Sequence, residues 1–378
     1  MKKLVISSIL ATAFVFSSAF AFSWGGMLDD NTKLSANNDF SAIVLNQSNS
    51  LYLNITSNLN EDATLRFAGE GLYKYEFNCD FEAKESEFKN IADVDLLKLS
   101  GDWTVANGHL GLALGRFKYS DFSGAVFSQI SDGLFLAYDT LKIKASLYGG
   151  FTGLLNRLNV NMIENEYEDG DQFYALCPKY IPVLADFSYK ALFESHTLGL
   201  QAAAYIPATD KNTLKAYGTL IANGYLGTIA SYDARVTLGT EKFDSLMMDA
   251  MLDVNFYIKS TVKATVGGEY VSGEQGSLKP FLTLSSRSFG NAPFYNGVIV
   301  PKLGAMYASG KLFASVTERV IISMPEDEAK LDGFDTSVNI IYNLFSDVQL
   351  GLDAGAYICK ESKDFTNFYA TAKAVLAF

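Results

Sequence analysis

Apolar and polar residues alternate with a period of two over most of the chain, which is the pattern of β-strands and not of helices. Counting back in twos from the final Phe378, residues 366–378 present apolar side chains down to position 368. Residues 141–151, 245–258 and 347–357 alternate in the same way. In each of these stretches one face is wholly apolar and the opposite face carries the charge, so the pattern predicts an all-β chain.

The repeat is a unit of roughly 10 alternating residues followed by a turn, which is typical of a transmembrane antiparallel up-and-down β-barrel. No linker or change of composition divides the chain. We predict about 18 strands, with 16 to 20 as the range. They are residues 39–45, 49–59, 62–77, 91–104, 107–118, 132–138, 141–151, 181–193, 197–205, 213–222, 226–239, 245–258, 261–271, 297–308, 311–322, 334–344, 347–357 and 366–378.

The predicted links alternate between short turns and longer loops, as in barrels with periplasmic turns and external loops. Only residues 46–48 form a short link on the external side. Residues 278–289 also alternate, but we assign them to an external loop because that gives an even strand number. Periodicity alone does not separate such a barrel from a soluble sheet with a dry core.

The two ends of the chain favour the membrane version. Residues 1–21 combine Lys2 and Lys3, a short apolar run and a small-residue exit, which predicts a signal peptide cleaved before the barrel of residues 22–378. The last strand, with Phe368, Leu376 and Phe378 on its apolar face, resembles the assembly signature of bacterial outer-membrane β-barrels. That resemblance implies two partners, the barrel-assembly machinery and outer-membrane lipid, and a location in the outer membrane of a diderm bacterium.

A second resemblance is carried by L-G-R-F-K-Y-S-D at residues 114–121, D-G-L at 132–134 and G-E-Y-V-S-G-E at 268–274. These segments are similar to those of Gram-negative porins and of the alginate-export and related 18-stranded channels. The resemblance implies that residues 119–131 fold inward and narrow the channel, with Asp121 and Gln129 as the polar groups. An external loop packed on its neighbours is the other interpretation. A dense arginine ladder is not evident, so no substrate class is transferred.

Charged residues on the predicted inward faces would line the lumen and create a transverse field that filters solutes. Acids outnumber bases among them, which favours a weak cation preference. The predicted lumen charges are Arg66, Lys142, Lys144, Arg235, Arg319, Glu70, Asp102, Asp186, Asp233, Asp249, Asp253 and Glu269.

The remaining chemistry is sparse. Loss of the signal peptide removes Lys2 and Lys3 and changes the net charge from −12 to −14. Such an acidic chain is not expected to bind nucleic acid, because phosphate groups require basic side chains. Neither His109 nor His196 belongs to a catalytic constellation, so we expect no enzyme, and no cofactor or metal is implied. The three cysteines, Cys79, Cys177 and Cys359, have no framework or metal spacing.

The sequence therefore predicts a porin-like channel for passive diffusion of small hydrophilic solutes. Self-association of the chain is compatible with this interpretation. The alternatives are a loop-plugged surface barrel acting as an adhesin or structural protein, and a transporter of hydrophobic compounds. The second alternative usually requires an N-terminal hatch, for which residues 22–38 are short.

Overall fold

The computed structural model describes residues 22–152, 180–193, 195–209, 212–325, 329–360 and 366–378. The expected signal peptide and Cys177 lie outside these residues. Among the described residues, no helix has the length and hydropathy needed to cross a membrane.

The described chain forms a closed antiparallel sheet of 18 strands, which confirms the predicted fold class. Closure occurs between the ends of the chain, because β1 pairs with both β2 and β20. The barrel strands are β1 (Phe22–Asn37), β2 (Ile43–Asn58), β3 (Leu65–Asp80), β4 (Glu85–Val105), β5 (Gly108–Ser120), β6 (Ser128–Thr140), β7 (Ile143–Phe151), β8 (Tyr180–Leu192), β9 (His196–Pro207), β10 (Lys215–Leu226), β11 (Ala230–Glu241), β12 (Met247–Lys259), β13 (Val262–Val271), β16 (Val298–Ser309), β17 (Leu312–Ser323), β18 (Lys330–Asn343), β19 (Val348–Cys359) and β20 (Asn367–Ala377). Two-residue strands β14 (Ser288–Phe289) and β15 (Ala292–Pro293) form a hairpin inside a loop.

The strand number is as predicted, but the first two strands are not. Residues 22–37, expected to precede the first strand, form β1, and the two strands predicted at 39–45 and 49–59 are mainly one strand, β2. The two errors cancel in the count. Their shared cause is that polar residues interrupt the apolar alternation on both strands, so the pattern is weakest where the barrel closes.

Link lengths divide the barrel into two ends. The links after β4, β6, β10, β12 and β16 contain two or three residues, and they lie at the end where the chain begins and finishes. The opposite end carries the longer loops, including residues 272–297 between β13 and β16. The hairpin of β14 and β15 lies within this loop, so the assignment of residues 278–289 to a loop is correct.

The outward side of the barrel is apolar and the inward side is polar over most of the described strands. Leu200 and Leu220, paired across β9 and β10, are 57 % and 47 % exposed on the outer surface. Three tyrosines near strand ends point inward. Tyr148, Tyr205 and Tyr357 are almost fully buried, because loops folded into the lumen cover them.

Candidate functional site

The short loop between β5 and β6, residues 121–127, folds into the lumen; we call it the inner loop. Its Phe122 backbone N–H donates to Gln201 Oε1 of β9 over 3.1 Å. The Ser123 carbonyl accepts a hydrogen bond of 2.6 Å from Arg235 of β11. The Phe127 ring packs against Tyr205 at a centroid distance of 5.8 Å. The inner loop therefore connects two walls of the barrel.

Asp121 holds the inner loop in shape. Its carboxylate accepts hydrogen bonds from the Ser123 hydroxyl at 2.5 Å and from the backbone N–H groups of Val126 and Phe127 at 3.0 and 2.5 Å. Burial raises the pKa of the Asp121 carboxyl, and these hydrogen bonds oppose the shift. Because the side chain is 6 % exposed, it serves the loop's own backbone and does not face open water.

The long loop, residues 272–297, meets the inner loop inside the barrel. Backbone N–H groups of Leu284 and Ser285 both donate to the Val126 carbonyl, at 2.8 and 3.0 Å. The Ser285 hydroxyl accepts from the Ser128 N–H and donates to Gln129 Oε1 at 3.3 Å. Gln129 is 3 % exposed and, like Asp121, takes part in loop packing.

Four charged side chains form an ion network at this junction: Arg235, Asp249, Glu269 and Arg287. Arg287 comes from the long loop and hydrogen-bonds to both carboxylates, at 2.5 Å for Asp249 and more closely for Glu269. Arg235 donates to Glu269 at 2.6 Å from the wall. Asp249 is completely buried, so its charge depends on these two guanidinium groups.

A second set of contacts anchors the long loop on the opposite side. Arg319 of β17 pairs with Asp335 of β18 at 2.7 Å, and the backbone N–H of Asn291 donates to the other Asp335 oxygen at 2.7 Å. The Asn291 amide also donates to the Thr336 carbonyl over 3.1 Å. The long loop is thus bound to β12 and β13 through Arg287 and to β18 through Asn291.

The predicted lumen charges separate into a central group and a rim group. The central group contains Arg235, Asp249, Glu269 and Arg319, together with Asp253, which pairs with Lys302 at 2.7 Å. Asp186 also belongs to it, and accepts from Tyr119, Ser146 and Gln201. The rim group lies at or towards the short-turn end and consists of Arg66, Glu70, Asp102, Lys142 and Lys144, whereas Asp233 stands directly opposite Asp253 in the register of β11 and β12. Lys142 lies in the turn after β6, so its placement on a lumen-facing strand position was wrong.

Several inward cations were not predicted, among them Arg287, Lys302 and Lys263. Arg287 belongs to a loop whose path no alternation encodes. Lys302 and Lys263 occupy inward positions of β16 and β13, which the period-two pattern could have identified. Together with Arg319 and Asp253 they line a pocket of about 340 Å³ on the inner wall. The inward carboxylate of Asp335 was not predicted either, so the expected cation preference stays a prediction.

The remaining predicted candidates have local partners. The His196 ring lies 3.0 Å from the Tyr232 hydroxyl, and His109 Nδ1 lies 3.5 Å from Asp102. Cys79 and Cys359 are free thiols. Within the described ranges, no group of three or more His, Cys, Asp or Glu side chains is arranged to hold a metal ion.

Comparison with known proteins identifies the architecture. No profile of a protein family matches the chain, and no curated protein matches it by sequence. Among solved structures, the outer membrane protein OpdK from Pseudomonas aeruginosa superposes with a TM-score of 0.64 at 11 % identity, over 95 % of this chain and 99 % of that one. The fold is that of an outer-membrane channel.

Two further Pseudomonas aeruginosa structures give the same result. OccK7 (OpdD) has a TM-score of 0.63 at 11 % identity, covering 94 % of this chain and 98 % of that chain. OccK2 (OpdF) in complex with glucuronate has a TM-score of 0.60 at 12 % identity, covering 94 % and 96 %. The likeness is to these channels and does not single out the alginate-export group. At such identities it shows the fold alone.

Proposed function

We propose that this protein is an outer-membrane channel through which small hydrophilic solutes diffuse passively. The observation that carries the proposal is the meeting of the inner and long loops inside a closed barrel, beside a wall of paired charges. An apolar exterior and a polar, loop-narrowed interior are the properties of a membrane barrel with an aqueous path. The signal peptide and terminal strand expected from the sequence support the outer-membrane location.

The paired charges suit solutes that carry both hydroxyl and charged groups. The pocket beside Lys263, Lys302 and Arg319 offers three cations against the carboxylate of Asp253. Charges of both signs facing a narrow aqueous path order water and discriminate among solutes. Since a related fold, OccK2, is described in complex with glucuronate, sugar acids are the solute class we would test first.

Planar bilayer recording and liposome swelling test this function. Purified protein should give stable conductance steps, and liposomes containing it should swell faster in glucose or glucuronate than liposomes without it. Lys302→Gln should slow glucuronate entry more than glucose entry, because it removes a cation from the pocket and leaves Asp253 unpaired. Absence of both conductance and swelling would refute the channel.

A second function is favoured by the hydrophobic packing inside the barrel. Phe127, Tyr205, Tyr217 and Phe281 form a continuous buried cluster where the loops meet the wall. A barrel closed completely by such packing would act as a surface-exposed adhesin or structural protein. It would insert into bilayers without conducting, so the same recording separates the two functions.

A further inference from the structure

The outward face of β1 and β2 carries polar side chains at positions where the neighbouring strands carry apolar ones. Asp30 and Thr32 lie between the exposed Leu28 and Leu34 on β1. Directly opposite them in the register of β2 stand Asn49 and Gln47. We call the four side chains Asp30, Thr32, Gln47 and Asn49 the outer polar patch.

The outer polar patch lies within the height of the apolar band. At one edge the terminal Phe378 packs over Gly26, and at the other Phe368, opposite Ala36, stacks on Phe40 with 5.3 Å between centroids. With a rise of about 3.3 Å per residue and a tilt of about 40°, the ten steps from position 26 to 36 cover roughly 25 Å of height. Asp30 therefore lies roughly 10 Å inside the band.

Hydrogen bonding inside the outer polar patch is incomplete. Gln47 Nε2 donates to Asp30 Oδ2 at 2.7 Å, and the Thr32 hydroxyl donates to Gln47 Oε1. Within the described part of the chain, Asp30 Oδ1 accepts no hydrogen bond and the exposed Asn49 amide makes none. Lipid tails offer neither donors nor acceptors, so this pair of groups is strongly disfavoured in contact with lipid.

A groove of about 400 Å³ adjoins the patch. The small side chain of Ala374 on β20 lies at the base of this groove. Its sides include Leu28, Leu51, Tyr73 and Tyr75. An acyl chain could fill such a groove but could not hydrogen-bond to Asp30 or Asn49. The occupant that fits must bring both apolar side chains and polar groups at this depth.

We propose that this face docks a second copy of the chain, related by a two-fold axis along the membrane normal between β1 and β2. Such an axis brings the β1 of one copy over the β2 of the other at equal height. It therefore places the unpaired Asp30 acceptor opposite the unpaired Asn49 donor of the partner, twice per dimer. This self-complementarity is what an isologous interface requires. The inference rests on the membrane location in the proposed function.

Cross-linking in native outer membranes tests the dimer. Leu51→Cys, in a background with all three native cysteines changed to serine, places one outward thiol of each copy beside the axis at equal height and keeps Asp30 and Asn49. Leu51 is the next outward position of β2 after Asn49 and lies opposite Leu28. A short bis-maleimide should convert this variant to a covalent dimer. Leu220→Cys is the control, because this exposed outward position lies nine strands away from β1. Equal cross-linking of the two variants would overturn the proposal.

A second comparison isolates the carboxylate. Asp30→Leu in the Leu51→Cys background, which keeps Asn49, should weaken dimerisation roughly tenfold, the change that two membrane-buried hydrogen bonds produce. Glu318→Leu is its control, since Glu318 also faces outward but accepts a hydrogen bond from Thr336 on β18, away from the patch. An undiminished dimer in Asp30→Leu would contradict the interface. If the protein conducts as a monomer, the dimer proposal fails and the proposed channel function stands. If the protein is absent from the outer membrane, the proposed function fails as well.

Discussion

Replacing Asp121 by alanine should release the inner loop from the lumen. The carboxylate is the acceptor for two backbone N–H groups, those of Val126 and Phe127, which are 1 % and 0 % exposed and cannot turn to water. A buried donor left without an acceptor costs about 1–3 kcal/mol, so the two together cost about 2–6 kcal/mol. The substitution also removes the cost of burying the carboxylate, which places the net effect in the lower half of that range.

A net change of about 3 kcal/mol shifts the equilibrium between the inward and displaced loop more than a hundredfold. In single-channel recordings the wild-type protein should give steady current, and Asp121→Ala should give larger conductance with frequent transitions. Asp102→Ala removes an exposed carboxylate from the rim and controls for the loss of charge. If Asp121→Ala shows the conductance and noise of the wild type, the inner loop does not depend on this carboxylate.

Three further outcomes follow from the same contacts. Because the pKa of Asp121 is raised in the inward loop, this loop conformation gains stability as the pH falls towards the ordinary pKa of an aspartate and loses it as the pH rises. The current transitions of the wild-type protein should therefore become rarer from pH 7 to pH 4. This trend should be absent in Asp121→Asn. Arg287→Ala leaves Asp249 and Glu269 with one guanidinium, so reversal potentials should shift towards cation selectivity, and Arg287→Lys should restore part of the wild-type value. Phe378→Ala removes the ring that packs on Gly26 where the barrel closes. It should lower the fraction of the protein in outer membranes that is folded, as measured by its heat-modifiable migration on a gel. Unchanged assembly would count against the terminal strand as an assembly signature.

The barrel could be predicted from sequence because its rule is local. A strand with one face in lipid and one in water must alternate, and residues 245–258 or 347–357 display that rule without reference to any other part of the chain. The same rule predicts which face of its strand each of Arg235, Asp249 and Glu269 occupies. In the structure these three side chains meet on the inner side of the wall.

The narrowing of the lumen could not be predicted in the same detail, because it depends on contacts between segments that are distant in sequence. Arg287 reaches Asp249 and Glu269 only because the long loop returns into the barrel, and no periodicity describes that return. The expected roles of Asp121 and Gln129 illustrate the same limit. Both were recognised as polar groups of the loop, but Asp121 bonds to the backbone of the loop itself, and Gln129 accepts from Ser285, which lies 156 residues away in sequence.

The failure at the first two strands has a different physical origin. Asp30 and Thr32 on β1, and Gln47 and Asn49 on β2, replace apolar side chains on the outward face, so the alternation that reveals other strands is interrupted. A lipid-facing position tolerates an unpaired polar group only if something else covers it. A local rule broken on two adjacent strands, in matching register, is therefore evidence of a contact that one chain does not supply. The residues that concealed β1 from prediction are the same residues that identify where a second copy would bind.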